Sequence, residues 1–205
     1  MKILRFAALT LLFVFLGLLL IHSLGSINQD IGRHLKLGQI IWEAKSVPQT
    51  NLFSFTEPDH PFINHHWLSE VVFFLLNGII GLKGLILFKA AVILAAFSVI
   101  FATLYKKTGL WPLIISFIIG ALIFDRTDVR PEIFSYLFLA IFLAAIFKAK
   151  FGQSYKWLYA LPIIQLLWTN MHIYFALGPG LLFLFLIDRL VHKENVAILK
   201  KLAII

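Results

Sequence analysis

A chain of 205 residues that is 60% hydrophobic and only 14% charged has too little polar surface to cover itself in water, since a soluble domain averages about 45–50% apolar and about 25% charged. Its mean hydropathy of +0.92, with apolar runs separated by short polar clusters, predicts an all-α, polytopic membrane protein. The absence of cysteine excludes disulfides and thiolate metal sites, and the net charge of +8 is explained by its distribution across a bilayer, with no nucleic acid implied.

The first apolar run, 3–21, follows the basic start Met1-Lys-Ile-Leu-Arg5 and predicts a span with a cytoplasmic N-terminus. Closed by Ser23-Leu-Gly25, the same stretch also fits a secretory signal peptide. Either reading leaves residues 23–65 on the outer face. Loops of that length are often functional. Within it, Ile31 to Lys45 has helical character, with Lys36, Gln39 and Glu43 on one side. At ~100° per residue, Asp30 and His34 fall on the side of Leu37 and Ile41, one turn apart and facing protein or lipid headgroups. Asp is among the best helix caps, so capping competes with chemistry for Asp30, and a plain interfacial role competes with metal ligation for His34. Ser46-Val-Pro-Gln-Thr50 ends the helix and Pro58-Asp-His-Pro61 makes a turn. The polar knot Asn64-His-His-Trp-Leu-Ser-Glu70 follows, with Asn64 as a cap for the next helix. His65 and His66 diverge by ~100° on a helix, so at most one of them enters a shared site.

Trp67 to Ile80 is apolar, but as a full span it would put Lys106-Lys107 outside. Residues 65–80 read instead as a juxtamembrane or re-entrant helix leading through Gly81 and Gly84 into a span at 84–105. Further spans are expected at 110–124, 133–147, 157–170 and 173–187, several of them shorter than the ~20 residues of an upright crossing. This threading collects Lys2, Arg5, Lys106, Lys107, Lys148, Lys150, Lys156, Arg189, Lys193, Lys200 and Lys201 inside. It sends outside six of the seven His and eight of the ten acids: Asp30, Glu43, Glu57, Asp59, Glu70, Asp125, Asp128 and Glu132. Acids hardly influence orientation, so their gathering on one face is independent information. Chemistry is expected on that face.

Two more outer clusters follow. Asp125-Arg-Thr-Asp-Val-Arg-Pro-Glu132 joins two spans. A turn can be charged simply to stay wet, but the two Arg in an otherwise acidic region suit bidentate capture of a phosphate. Pro131 begins the next helix with Glu132 in its first turn. Trp168-Thr-Asn-Met-His-Ile-Tyr174 places Asn170 and His172 between apolar runs, where such groups point at a cavity or a partner. Gly178-Pro-Gly180 is expected to bend the last span and open space beside it.

One span, a long outer loop opening on an acid, a juxtamembrane helix and short-looped spans together resemble the N-terminal module of the GT-C superfamily glycosyltransferases. These integral membrane enzymes use polyprenyl-phosphate sugars; aminoarabinose transferases and protein O-mannosyltransferases are examples. More narrowly, QDIGRHLKLG, VPQTNLFSFT, NHHWLSE, RTDVRPEIFSYL and WTNMHIYFALG, in that order over nearly the whole chain, resemble uncharacterised bacterial relatives. The resemblance implies a GT-C-like helical bundle in the bacterial cytoplasmic membrane with its active face outside. It also implies a hexosyl- or pentosyl-transferase acting on a polyprenyl-phosphate-linked sugar and a lipid, glycan or protein acceptor. By position, Asp30 matches a loop acid used for acceptor activation or metal binding, and Asp128 a second acid of the aminoarabinose branch. His65 to Trp67 stand where other branches carry a basic or His residue and two prolines. Many relatives pair the loop acid with another, whereas Asp30 has Gln29 and Ile31 beside it. Members of the superfamily have more spans, so the apolar end Val196–Ile205 reads as the start of a further segment, in a fragment or a reduced member.

The chemistry follows from the lipid-linked donor, whose reacting bond lies at headgroup level. Charge on the departing phosphate would be met by Arg126, Arg130 or Arg33, or by a divalent metal such as Mg or Mn held by Asp30, Asp128 and His34, unless Asp128 instead positions the sugar; His65, Asn170 and His172 complete the candidate substrate- or phosphate-binding set. Asp30 would take the acceptor's proton. Two other classes compete. A transporter or channel component would carry polar residues along the inner halves of its spans, and a scaffold would use the outer charges for stability alone.

Overall fold

The computed structural model describes residues 2–21, 29–108, 128–152 and 154–192, with isolated positions 111, 115 and 118. Among them the regular elements are helices: α1 (Lys2–Ile21), α2 (Gln29–Ala44), α3 (Trp67–Thr108), α4 (Glu132–Gly152), α5 (Leu161–Met171) and α6 (Leu177–Val191). Short 3-10 turns occupy Tyr155–Ala160 and Ile173–Ala176. Among the described residues, three helical stretches are long and apolar enough to cross a membrane, Trp67–Tyr105, Glu132–Phe151 and Ile173–Val191; Thr10–Ile21 is a shorter apolar helix.

The helix expected at 65–80 and the span expected at 84–105 are two arms of α3 that meet at a kink at Gly81. Its φ of 66° with ψ −179° is backbone that glycine alone adopts readily. The segment expected to span at 157–170 is instead a 3-10 turn followed by an 11-residue helix. Pro162, in the first turn of α5, lacks the N–H needed to continue an α-helix from the preceding turn. Gly178-Pro-Gly180 lies in the opening of α6 and does not bend it midway, because proline is tolerated where helical N–H groups have no partner. The span expected at 110–124 falls almost wholly outside the described residues.

Helix α2 is amphipathic as its spacing demands. Ile31, His34, Leu37 and Ile41 are buried, while Arg33, Lys36, Trp42 and Glu43 are exposed. It stops at Lys45, whose φ of 51° turns the chain out of the helix. Its buried face lies on α3, and α3 packs on α4. Contact with α3 is close at Gly38, where a Cβ would collide with the backbone carbonyl of Glu70. Beneath this junction the core is aromatic: Phe73 of α3 stacks on Phe134 of α4 at 5.7 Å, and Trp168 of α5 meets Phe138 and Phe142 at 5.9 and 5.6 Å. Rings packed at these separations contribute beyond the area they bury. This packing brings the starts of α2, α3 and α4 and the α5–α6 junction together at one end of the bundle.

Candidate functional site

Glu70 stands in the first turn of α3 with none of its surface exposed. A buried carboxylate is costly unless it is paired and hydrogen-bonded, and here it is both. Its Oε1 lies 2.9 Å from Nδ1 of His34, and its Oε2 accepts a hydrogen bond from Asn64 Nδ2 at 2.6 Å. Asn64 Oδ1 also accepts the backbone N–H of His66 at 2.9 Å. The expected cap thus fastens the turn that enters α3, and its amide nitrogen holds the acid.

Three imidazoles gather beside this pair. The His66 ring meets His34 edge-on at 6.1 Å and stacks on His172 at 5.5 Å. His172 Nδ1 is 2.7 Å from Ser135 Oγ, which accepts the indole N–H of Trp168 at 2.7 Å. An indole nitrogen only donates, so Ser135 Oγ accepts from Trp168 and keeps its own hydrogen and a second lone pair for the imidazole, whose tautomer sets the direction of that bond. Burial, reinforced by His66 and His34, holds the His172 imidazole down to about 4. Burial and then the charge of His34 also lower His66, against an opposing pull from Glu70. Both rings are therefore neutral at pH 7. Ser69 Oγ donates to the Met171 carbonyl at 2.9 Å and Trp67 Nε1 to Asn170 Oδ1 at 2.9 Å, pinning the start of α3 to the end of α5.

A charged rim lies one turn back along α2. Arg130 Nη2 sits 3.0 Å from Asp30 Oδ2 and 3.7 Å from Asp128 Oδ2, with all three side chains partly exposed. Asp30 is the second residue of α2, inside the first turn rather than at the cap, where a carboxylate still favours the positive end of the helix. Exposed pairs of this kind contribute little to stability, on the order of 0.2–1 kcal/mol. Lys89 of α3, 1% exposed, is near enough to feel the charge of Asp128. The sequence reading passed over Lys89, although a lysine inside a spanning segment is a functional signal by default. It also passed over Ser135, which no motif marks.

Asp30, Asp128 and Arg130 therefore converge. His34 shares the helix with Asp30 but turns to Glu70, and a guanidinium stands between the two aspartates. Among the described residues no three His, Asp or Glu side chains are placed to share an ion. The expected set of Asp30, Asp128 and His34 does not fit a divalent metal in this arrangement. Of the adjacent histidines it is His66 that joins His34 and His172, while half-buried His65 acts on it only through its charge. Arg33 is exposed on α2 and likewise acts on His66. Asn170 is engaged by Trp67. Arg126 lies outside the described residues.

No protein-family model matches this chain, and neither a curated protein nor a solved structure matches it.

Proposed function

We propose that this chain is a multi-pass module of the bacterial cytoplasmic membrane that transfers a sugar from a polyprenyl phosphate to an acceptor at the outer face. The observation that carries the reading is the meeting of Asp30, Arg130 and Asp128 beside the His34–Glu70–His66–His172 group, at one end of apolar helices. A lipid-linked donor would present its phosphate at that depth, its chain lying along the bundle. As the bond from the sugar's anomeric carbon to the phosphate oxygen breaks, charge builds on the phosphate. Arg130 and Arg33 are the cations near the site that stabilise it, with Asp30 and Asp128 fixing the Arg130 fork. A transport component is the second reading, favoured by Lys89, a cation buried within a spanning segment.

The test uses the purified full chain in lipid nanodiscs with undecaprenyl-phosphate-linked mannose, glucose and aminoarabinose, each supplied in turn. Release of undecaprenyl phosphate from at least one donor is expected. Failure to bind or cleave any of them, with the sugar instead carried across the membrane of proteoliposomes, would replace this reading with the transport one.

A further inference from the structure

We propose that His66, rather than Asp30, accepts the proton of the acceptor hydroxyl, which binds at its ring; this rests on the glycosyl-transfer reading above. Three observations converge on that ring. The Asp30 carboxylate faces Arg130 at 3.0 Å, so an acceptor hydroxyl would have to displace or share that ion pair to reach its Oδ2. His34 and His172 are 3% and 7% exposed, and each has a ring nitrogen committed, to Glu70 and to Ser135. His66 alone of the three is half-buried, lies between the other two rings, and has its Nδ1 closed off from solvent and without a hydrogen-bond partner among the described residues. A sealed nitrogen cannot meet an incoming hydroxyl, so the acceptor is placed at Nε2, the ring's other nitrogen, which becomes the proton acceptor.

The surroundings suit a base that must begin neutral and end charged. Burial keeps the resting imidazole unprotonated, and the Glu70 carboxylate, one turn further along α3, favours the imidazolium once it forms. The titratable and charged groups around it are His34 and Arg33 from α2, His65 from the entering turn, Glu70 from α3 and His172 from the α5–α6 junction. Burial first of all keeps His172 neutral, so the stacked ring adds no second charge. In the transfer, the acceptor oxygen gives its proton to His66 and bonds to the anomeric carbon. The bond from that carbon to the phosphate oxygen breaks, and its electron pair leaves with the lipid phosphate. The proton then passes to bulk water. His66 is the catalytic residue here; Glu70 and His34 are positioning residues that act through it.

The experiment follows hydrolysis of the three undecaprenyl-phosphate sugars in nanodiscs, with water as acceptor, by wild type, His66→Gln, His66→Ala and Asp30→Asn. Loss of a general base costs about 100-fold or more, so His66→Gln should lose that much in kcat while its KM for the donor changes little. Free imidazole should restore part of the rate to His66→Ala, and Asp30→Asn should change KM more than kcat. Should His66→Gln melt like unfolded protein, imidazole rescue of His66→Ala and the wild-type pH profile decide. A wild-type kcat that declines on an acid limb below pH 6.5 supports the proposal. A folded His66→Gln enzyme with near-wild-type kcat overturns it, as does His66→Ala that imidazole leaves inactive. A wild type inert toward all three donors removes the transfer reading and this proposal together; an active wild type with an unimpaired His66→Gln removes this proposal alone.

Discussion

Adding one methyl group at Gly38 should separate the α2 helix from the bundle, and the structure sets the size of the effect. An alanine Cβ there would press on the Glu70 carbonyl oxygen, lie 2.6 Å from the carbonyl carbon and 2.8 Å from Phe74 Cβ. The first two are backbone atoms of α3 and cannot swing aside, so α2 itself has to move. Overpacking of this sort costs roughly 1–3 kcal/mol, against about 1 kcal/mol recovered when alanine replaces a helical glycine. Gly32, on the same helix, has nothing within 4 Å of its would-be Cβ, so Gly32→Ala should collect the propensity gain alone, roughly 0.5–1 kcal/mol. The two alanines therefore act in opposite directions, or nearly so, on one helix. The assay is thermal unfolding of both variants and wild type in the same detergent. At about 2–4 °C per kcal/mol for a chain of this size, Gly38→Ala should melt several degrees below Gly32→Ala. If Gly38→Ala melts at or above Gly32→Ala, the close α2–α3 contact that delivers His34 to Glu70 is wrong.

Glu70→Ala should destabilise by about 3–5 kcal/mol, because removing one member of a buried pair strands the others; Glu70→Gln, which keeps a hydrogen-bonding oxygen, should lose clearly less, and equal losses in unfolding experiments would contradict the pairing. The His172 pKa of about 4 against 6.5 in the unfolded chain means that the unfolded state binds the extra proton between those values. Stability is therefore present above pH 6.5 and is lost as pH falls toward 4, by about 3 kcal/mol in all. Melting temperatures should fall between pH 7 and pH 5 in wild type and less in His172→Gln; identical slopes would refute the assignment. Arg130→Ala should change stability by under about 1 kcal/mol, since its ion pairs are partly exposed, yet lower donor cleavage by about 100-fold, as loss of a charge-stabilising donor does. A variant that melts well below wild type but, where still folded, keeps wild-type specific activity would assign Arg130 to structure alone.

What the sequence made legible is what local periodicity and backbone chemistry control. The buried face of α2, its end near Lys45, the turn at Asn64 and the helix start at Pro131 and Glu132 all follow from spacing, capping and proline geometry. The shared face of Asp30 and His34 could be read too, but not their partners. His34 finds Glu70 36 residues away, Ser135 finds His172 across 37, and Trp67 finds Asn170 across 103. Helical periodicity says which way a side chain points and nothing about what meets it. The choice between His65 and His66 was open for the same reason, as it depends on how α3 enters the bundle. Lys89 stood in plain view within an apolar run, yet its neighbour Asp128 lies on a different element, so charge counting by segment left it out. Gly81, by contrast, could be read as the joint between the two arms of α3, because glycine adopts the positive φ that a change of direction needs.

The account rests on the convergence of Asp30 from the start of α2 with Asp128 and Arg130 before α4. The chain has no cysteine, so the double variant Asp30→Cys, Asp128→Cys presents one reactive pair to a short bis-maleimide in native membranes. Both carboxylates meet the same Arg130 nitrogen, so rapid intramolecular cross-linking is predicted. A control pair, Asp30→Cys with Asp188→Cys near the far end of α6, should stay unlinked. Absence of a link in the first pair, or equal linking in both, would contradict the convergence on which the site is built.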